Sequence, residues 1–244
     1  MLDGYNTISF DCYGTLIDWE SAIINFFRND TQTRITNEEI IDLFLSVEMS
    51  VIAAYPKLNY QNVLEETYKK MTLSTVQSFN SNTAKEFAAS IATWEPFYDT
   101  RKFLENLKAE GYNLVILSNI NRKSLDKTME YLGVEFLDSY TAEEIGDYKP
   151  SPKCFSYMLL KLYDKYGIKN SDILHFSVSL HHDHRTALSL GIDTCWINRA
   201  QTINGTLSTP AKFVNDIKPT YAFLSLEEAY TELKREKNSQ LANS

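Results

Sequence analysis

The stretch Phe10-Asp11-Cys12-Tyr13-Gly14-Thr15-Leu16-Ile17-Asp18 decides how this chain of 244 residues folds. It continues the β-type run Tyr5–Phe10, and its Gly-Thr pair is typical of a tight turn. In an open parallel sheet, ligands bind beyond the carboxyl ends of the strands. Asp11, at the end of a first strand, is therefore a candidate nucleophile, although a lone aspartate in such a place is more often a cap of the turn.

Short β-type runs recur along the chain and, after residue 95, alternate with helical patterns. This alternation predicts an α/β fold whose core is a Rossmann-like parallel sheet with helices on both faces. The predicted strands are Tyr5–Phe10, Asn113–Leu117, Phe136–Tyr140, Ile173–Val178, Thr194–Ile197 and Thr220–Phe223. The predicted helices are Thr100–Glu110, Asn121–Leu132, Pro152–Tyr166 and Asp183–Leu190.

Residues 18–94 differ from the rest because they contain helical patterns and no convincing strand. The stretch Thr36-Asn-Glu-Glu39 is a capping box, and apolar residues follow it at helical spacing. We therefore expect a core of residues 1–17 and 95–244 and an inserted α-helical cap of residues 18–94. Further cap helices are predicted near Ser21–Asn29, Tyr60–Met71 and Thr83–Thr93. The polar end, Glu236–Ser244, is expected to be frayed.

Composition and charge exclude several classes of protein. A hydrophobic share of 43% and an aromatic share of 13% are enough for a sizeable core, so the chain is not disordered. The net charge of -8 argues against nucleic acid or an anionic membrane as a partner. We see no membrane span and no secretory signal. The separated cysteines Cys12, Cys154 and Cys195 indicate reduced thiols and hence a cytoplasmic protein. The expected partner is a small-molecule substrate, and a homodimer is possible.

Polar side chains also occur at later predicted strand ends and helix starts. Ser118-Asn119 ends the second strand, Lys149-Pro150 precedes a predicted helix, and His181-His182-Asp183 follows the fourth strand. Each of these alone is weak evidence, since Ser-Asn is usually a turn and Lys-Pro is usually surface. Together with Asp11, at the ends of neighbouring parallel strands, they predict one site.

These residues resemble the motifs of the haloacid dehalogenase superfamily, and the resemblance covers nearly the whole chain. Asp11-x-Tyr13-Gly-Thr15-Leu-x-Asp18 resembles the nucleophile motif, Ser118-Asn119 the second motif, Lys149-Pro150 the third, and Asp183 the acidic residue of the fourth. The helical insert resembles the cap that follows the first motif in this family. Tyr13, together with the stretch Cys195-Trp-Ile-Asn-Arg199, is most similar to the 2-haloacid dehalogenase branch.

The resemblance implies a hydrolase that acts on a small 2-substituted carboxylic acid through an aspartyl ester, with Asp11, Lys149 and Asp183 as catalytic residues. The expected substrate-binding residues are Tyr13, Thr15, Ser118, Asn119, His181 and His182. No metal or other cofactor is expected, because Tyr13 and Ser179 stand where a Mg²⁺-dependent phosphatase has carboxylates. The same site could instead open a strained C–N ring acid such as azetidine-2-carboxylate. A Mg²⁺-dependent phosphatase and a non-catalytic binding protein are the alternatives from other classes.

Some features of the family are absent from this sequence. The family's cap has an arginine soon after the nucleophile, but Arg28 and Arg34 are the only arginines between Asp11 and residue 100, and neither lies in a matching context. Phe155 stands where the dehalogenases have tyrosine, and Val178 and Leu180 replace a serine and an asparagine. The leaving group and the substrate therefore stay open.

Histidines and aromatic residues give two further expectations. All four histidines lie between His175 and His184, but consecutive positions on a helix do not face one centre, so a zinc site is not expected. His181 or His182 is expected to reach the site beside Asp183, as a base or a polar contact. The aromatic residues expected to line a cleft between cap and core are Trp19, Tyr55, Tyr60 and Trp94.

Overall fold

The computed structural model describes residues 4–76, 80–199 and 216–241, with side chains described up to Lys234 in the last range. Its strands are β1 (Thr7–Phe10), β2 (Asn113–Ser118), β3 (Asp138–Thr141), β4 (Ile173–Ser177), β5 (Asp193–Ile197) and β6 (Tyr221–Phe223). Within the described residues they form one parallel sheet in the order β3-β2-β1-β4-β5-β6. This is the Rossmann-like order, and it confirms the predicted α/β fold.

The register of the sheet brings the carboxyl ends of three strands together. Phe10 of β1 lies opposite Ile116 of β2 on one side and Phe176 of β4 on the other. The chain turns from one half of the sheet to the other at β1, so β1 and β4 border the switch point where ligands bind in such sheets. Asp11 follows β1 directly at this edge.

Helices cover the sheet and form the insertion after β1. The connecting helices are α5 (Thr100–Ala109), α6 (Arg122–Leu132), α7 (Ala142–Ile145), α8 (Pro152–Tyr166), α9 (Arg185–Ser189) and α10 (Leu226–Leu241). The insertion contains α1 (Trp19–Thr31), α2 (Asn37–Ala54), α3 (Tyr60–Thr75) and α4 (Ser81–Ser90), then a 3₁₀ turn, Ile91–Thr93. No helix among the described residues has the length and apolarity needed to cross a bilayer.

The capping box that begins α2 is present as predicted. The backbone amide of Glu39 donates to Thr36 Oγ1 at 3.2 Å, and the amide of Thr36 donates to Glu39 Oε2 at 2.6 Å. These two bonds satisfy amides that a helix start otherwise leaves unpaired. The box fixes the start of α2, which is the helix that faces the site described below.

The packed interior is continuous between the sheet and the inserted helices. Phe10 contacts Phe103 of α5 and Phe176 of β4, with ring centroids 6.1 Å and 5.7 Å apart. The same hydrophobic cluster extends to Phe44 and Phe87 of the insertion. The inserted helices therefore share a core with the sheet and do not form a separate globule.

Two predicted helix boundaries differ from the structure. The helix predicted from Asp183 begins earlier, as a π-helical turn over Leu180–His184, in which the amide of Arg185 reaches the carbonyl of Leu180. Ser179 supports this start by accepting the amide of His182 at 3.1 Å. The expectation of a frayed end from Glu236 is wrong as far as Leu241, since α10 continues to that residue; Glu, Lys, Gln and Leu are good helix formers. The last three residues lie outside the described ranges.

The chain enters and leaves the insertion along two adjacent segments. The amide of Asp18 donates to the carbonyl of Glu95 at 2.9 Å, and the amide of Phe97 donates to the carbonyl of Leu16 at 3.0 Å. These bonds pair residues 16–18 with residues 95–97 in an antiparallel manner. The base of the insertion is thus fixed directly beside the turn that follows Asp11.

Candidate active site

The turn after β1 presents the Asp11 carboxylate at the sheet edge. Gly14 adopts a φ of +94°, which only glycine tolerates readily. A Cβ at Gly14 would lie 3.0 Å from Trp19 Nε1 and 3.0 Å from Val178 Cγ1, so a side chain there would be crowded as well as strained. The glycine therefore allows the turn, the cap residue Trp19 and the loop after β4 to meet.

Lys149 joins two carboxylates at the floor of the site. Its Nζ donates to Asp11 Oδ1 at 2.8 Å, to Asp183 Oδ1 at 2.6 Å and to the carbonyl of Leu117 at 3.0 Å. An ammonium has three protons, so all of its donors are used. Lys149 therefore holds the carboxylates in place, and none of its protons is left for a substrate.

Asn119 fixes the backbone of Lys149. The amide of Lys149 donates to Asn119 Oδ1 at 2.7 Å, and Asn119 Nδ2 donates to the carbonyl of Lys149 at 3.1 Å. This reciprocal pair ties the end of β2 to the loop before α8. It explains why the polar pair Ser118-Asn119 and the lysine motif lie together although 30 residues separate Asn119 from Lys149.

Asp183 is held by two more donors, neither of which the sequence indicated. Ser177 Oγ donates to Asp183 Oδ2 at 2.9 Å, and His175 Nε2 lies 3.3 Å from Asp183 Oδ1. Because a carboxylate can only accept, Nε2 carries a proton, and Nδ1 is hydrogen-bonded to Ser9 Oγ at 2.9 Å. His175 and Ser177 are polar residues within the buried strand β4, and this feature alone did not mark them as site residues.

Burial and charge act differently on the three members of this group. Burial raises the pKa of Asp11, and this outweighs the lowering by Lys149 and Thr15. Burial also acts to raise the pKa of Asp183, but Lys149 and His175 outweigh it and hold that pKa well below its ordinary range. The two carboxylates raise the pKa of Lys149 despite its burial. Asp11 is thus the member whose charge responds most readily to pH.

Thr15 lies beside the nucleophile candidate and away from the cavity. Its hydroxyl donates to Asp11 Oδ2 at 3.0 Å and accepts the amide of Val178 at 3.1 Å. Its carbonyl accepts from Nη2 of the buried Arg199 at 2.9 Å, and Arg199 also pairs with Asp99 at 3.0 Å. Thr15, expected from the sequence to bind substrate, is therefore occupied in orienting Asp11.

A cavity of about 450 Å³ lies between this group and the inserted helices. Volumes in this range are typical of small-molecule sites. Its floor includes Asp11, Tyr13, Ser118, Asn119, Lys149, Ser179, His182 and Asp183. Its walls include Trp19, Phe44, Leu45, Glu48, Met49, Ile52, Tyr60, Ile91, Trp94, Tyr148 and Val178. The structure therefore brings most of the predicted site residues to one cavity.

Three predicted contacts have a different setting. Tyr13 lines the cavity with its ring, but its hydroxyl is bonded to Thr128 Oγ1 at 2.7 Å. His182 lines the cavity and bonds Ser179 Oγ through Nδ1 at 3.1 Å, whereas His181 packs on the His182 ring and is not among the described lining residues. Tyr55 is 53% exposed and lies outside the described lining, unlike the other three aromatic residues predicted for the cleft.

Arginine is absent from the described lining of the cavity. Arg28 donates instead to Asn37 Oδ1 and to the carbonyl of Ile35, at 2.9 Å each, and so braces the connection between α1 and α2. Arg34 is exposed. Lys149 is therefore the only lysine or arginine among the described lining residues.

Glu48 is a cavity residue that the sequence did not indicate. It is half-buried on α2, and its Oε1 accepts from Tyr60 Oη of α3 at 2.5 Å. Burial raises the pKa of Glu48 to about 7, although the bond from Tyr60 acts to lower it. Glu48 lies one helical turn after the buried Phe44, and this spacing is the signal in the sequence that could have shown that Glu48 faces inward.

The donor set at the floor does not fit a divalent cation. Asp183 uses Oδ1 on Lys149 and His175 and uses Oδ2 on Ser177, and Asp11 uses its two oxygens on Lys149 and Thr15. No three His, Cys, Asp or Glu side chains among the described residues come together as metal ligands. The ammonium of Lys149 lies between the carboxylates, where a bound cation would be repelled.

The parallel sheet, its helical insertion and a buried aspartate–lysine pair below a cavity are the features of a hydrolase with an α/β fold. The family model of haloacid dehalogenase-like hydrolases matches residues 5–181, and the chain belongs to that family.

Known proteins resemble this chain over most of its length. The (S)-2-haloacid dehalogenase of Pseudomonas sp. (strain YL) is 26% identical over 83% of this chain and 86% of the relative. That of Pseudomonas putida is 25% identical over 91% and 93%. The solved structure of L-2-haloacid dehalogenase from Xanthobacter autotrophicus, with chloropropionic acid covalently bound, superposes with a TM-score of 0.75 at 15% identity, covering 94% of this chain and 98% of that one. This last likeness is one of fold.

Proposed function

We propose that the chain hydrolyses a 2-substituted carboxylic acid in two displacements. An oxygen of the Asp11 carboxylate attacks C2 of the substrate, and the leaving group departs with the electron pair of its bond. The product is an ester between Asp11 and the substrate. Water then attacks the carboxyl carbon of Asp11, which releases a 2-hydroxy acid and restores the carboxylate.

The position of Asp11 is the observation that supports this proposal. It lies at the cavity floor with one oxygen against Lys149 and the other against Thr15. These contacts orient the carboxylate and favour its ionised form. No other carboxylate in the described floor is as suitable, because Asp183 accepts from three donors and its pKa is held well below its ordinary range, which makes it a weaker nucleophile.

Ser118 and Asn119 are the proposed partners of the substrate carboxylate. Ser118 is only 2% exposed, lines the cavity, and has no hydrogen-bond partner for its hydroxyl among the described residues. Asn119 uses one of its two Nδ2 protons on Lys149, which leaves the other available. Neutral donors of this kind hold an anion without adding charge to the site.

His182 is the proposed base for the second displacement. Asp183 cannot take a proton from water while Lys149, His175 and Ser177 occupy its oxygens. His182 lies at the cavity and is oriented by its bond with Ser179. Burial lowers the pKa of His182 to about 4, so its ring is neutral near pH 7, which is the form that can accept a proton from water.

The curated relatives support a halide as the leaving group, since they are named (S)-2-haloacid dehalogenases. A halide leaves without a proton, and the proposed site needs no further acid for that step. Opening of a strained C–N ring acid would use the same attack by Asp11. Both substrates therefore belong in the first assay.

A single turnover in H₂¹⁸O, with enzyme in excess over 2-chloropropionate, tests the ester. We expect one ¹⁸O atom in Asp11, detected by mass spectrometry of the peptide. Asp11→Asn should lower the rate by roughly 10³-fold or more, because the attacking charge is lost. The exposed Asp164→Asn is the matched control and should keep full activity. Label found only in the product would mean direct attack by water, and the proposal would then be wrong.

Treatment with EDTA separates this function from a Mg²⁺-dependent phosphatase. We expect EDTA-treated protein to keep its activity toward the substituted acids and to gain none toward phosphate esters when Mg²⁺ is added. Activity that disappears with EDTA and returns with Mg²⁺ would favour the phosphatase instead.

A further inference from the structure

The charges around the cavity do not suit a simple anionic substrate. In the described part of the chain, the lining contains three carboxyl groups, one lysine and no arginine. Lys149 is paired with two of the carboxylates, Asp11 and Asp183. The third, Glu48, has no cationic partner in the described structure. A substrate whose only charge is a carboxylate would add a negative charge to a site that already has an excess of them.

Glu48 presents an unused acceptor to the cavity. Its Oε1 accepts from Tyr60, while its Oε2 makes no hydrogen bond within the described residues. Tyr60 starts α3, so the carboxylate is fixed by a neighbouring helix and does not swing freely on α2. A fixed, partly desolvated carboxylate is a strong acceptor for a charged N–H donor.

Aromatic rings around Glu48 add a second attraction for a cation. Tyr60, Tyr148 and Trp94 line the same cavity, and Trp94 packs on Tyr13 with ring centroids 5.8 Å apart. The faces of aromatic rings attract ammonium groups, most strongly where water is excluded. The part of the cavity around Glu48 thus offers a carboxylate acceptor and the aromatic rings of Tyr60 and Tyr148.

Ser118 provides a separate, opposite contact on the core side. The residue is only 2% exposed and lines the cavity, and its hydroxyl makes no hydrogen bond among the described residues. The two ends of the cavity therefore differ in character: neutral donors at Ser118 and Asn119, and a carboxylate at Glu48. Such a cavity complements a zwitterion better than an anion.

We propose that Glu48 and Tyr60 form a subsite for a positively charged nitrogen. The preferred substrates are 2-substituted carboxylic acids that also contain an ammonium group or a protonated ring nitrogen. Binding of the substrate carboxylate at Ser118 and Asn119 rests on the function proposed above. Binding of the nitrogen rests on Glu48 and Tyr60 alone.

Several groups face Glu48 and enter its pH dependence. Tyr60 faces it from α3, and Tyr148 faces it from the loop before α8. The charged or titratable lining residues across the cavity are Asp11, Tyr13, Lys149, His182 and Asp183. Protonation of Glu48, whose pKa lies at about 7, removes the attraction for a cation, so the preference should weaken as the pH falls.

Matched ligands test the subsite without any turnover. We would titrate the protein with 4-aminobutanoate and with pentanoate, which differ by an ammonium in place of a methyl group, and measure binding by calorimetry. A ring pair, azetidine-2-carboxylate and cyclobutanecarboxylate, would be titrated into the Asp11→Asn protein so that no reaction occurs. At pH 8 we expect the nitrogen member of each pair to bind about tenfold more tightly or better.

Three variants locate the effect. Glu48→Gln keeps the acceptor for Tyr60 but not the charge, and it should abolish the preference at every pH. Asp42→Asn, an exposed position on the same helix, is the control and should change nothing. Tyr60→Phe removes the hydrogen bond that lowers the pKa of Glu48, so Glu48 should become protonated at a higher pH than in the parent protein. The preference for the nitrogen ligand should therefore be kept in alkaline solution, but as the pH falls it should disappear earlier than in the parent.

Two outcomes would overturn the subsite: equal binding of both members of each pair at pH 8, or a preference that survives Glu48→Gln. The test is independent of the ester experiment. If the protein prefers the nitrogen ligands but no ¹⁸O enters Asp11, the proposed reaction is wrong and the subsite stands. If ¹⁸O enters Asp11 but the nitrogen ligands are not preferred, the reaction stands and the subsite is wrong.

Discussion

At the scale of single residues, the site depends on an unequal division of charge. Lys149 lies between two carboxylates, but three donors hold Asp183 ionised, whereas burial raises the pKa of Asp11. In the proposed reaction, Asp183 therefore serves as the counterion of Lys149 and Asp11 as the reactive group. This division follows from the surroundings of two chemically identical side chains.

The acid side of the pH–rate profile should report Asp11. With 2-chloropropionate at saturation, the rate of the first displacement should fall as the pH drops, and it should fall at a higher pH than for an ordinary carboxyl of pKa about 3.9. Thr15→Ala removes a bond that lowers the pKa of Asp11, so the midpoint should move to higher pH. Single-turnover rates measured between pH 4 and pH 8 would show both.

Thr15→Ser is the control for this prediction, because serine can make the same two hydrogen bonds. It should restore the parent profile. Repeating the measurement in Glu48→Gln separates the titration of Asp11 from that of Glu48. A profile that does not move in Thr15→Ala would mean that another group controls the displacement.

Sequence reasoning at this scale succeeded where residues follow strand ends. Asp11, Ser118 and Asn119 could be placed together because parallel strands bring their carboxyl ends to one edge. His175 could not be found this way, since it lies inside β4 and its contact with Asp183 depends on side-chain direction. Glu48 was missed because a glutamate on an amphipathic helix is ordinarily solvated.

At the scale of elements, α2 supplies most of the cap side of the cavity. Phe44, Leu45, Glu48, Met49 and Ile52 line the cavity from this helix, with Met49 largely exposed to solvent. All but one are apolar, and the cavity is larger than a two-carbon acid needs. The helix therefore sets the length of the chain that the substrate can contain.

The value of kcat/KM should increase with the length of the substrate's carbon chain until that chain contacts α2. Each additional buried methylene contributes about 0.8 kcal/mol, so kcat/KM should rise roughly fourfold per carbon from 2-chloropropionate to 2-chloropentanoate. Ile52→Trp should fill the cavity and reverse this order while keeping activity on the shortest acid. The assay is halide release across the homologous series.

Leu73→Ala, an exposed change on α3, is the matched control and should leave the series unaltered. If kcat/KM is flat across the series in the parent protein, the chain of the substrate does not contact α2.

The π-helical turn after β4 shows why some element boundaries escaped prediction. It inserts Leu180–His184 before α9, and the buried His184 donates from Nε2 to the carbonyl of Ser177 at 3.0 Å. Burial lowers the pKa of His184 to about 4, so the ring is neutral and structural. A hydrogen-bond shift of this kind has no local sequence pattern, since it depends on what the turn packs against.

At the scale of the whole molecule, the shared core should make cap and core unfold together. Residues of the insertion such as Phe27 and Phe87 belong to the same buried cluster as Ile8 and Phe10. We expect one thermal transition, coincident by far-UV circular dichroism and by tryptophan fluorescence. Phe87→Ala should destabilise the protein by about 3–5 kcal/mol and shift both signals equally.

Separate transitions by the two probes, or a fluorescence shift alone in Phe87→Ala, would show that the cap unfolds by itself.

The order of elements was the most predictable property of the molecule. All six strands of the described sheet were located from their β-type runs, and α8 has the predicted bounds, since Pro152 starts it and Gly167 ends it with a left-handed cap. The continuity of the core through the insertion was not predictable, because it depends on contacts between segments that are distant in sequence.

The paired segments at the base of the insertion limit how it can move. Residues 16–18 and 95–97 are hydrogen-bonded to one another, so the inserted helices are attached to the core by a two-stranded antiparallel connection and not by two independent segments. The hydrogen bonds between the two segments oppose sliding of one segment past the other. Any displacement of the insertion relative to the sheet would be transmitted through these paired segments to the turn that follows Asp11.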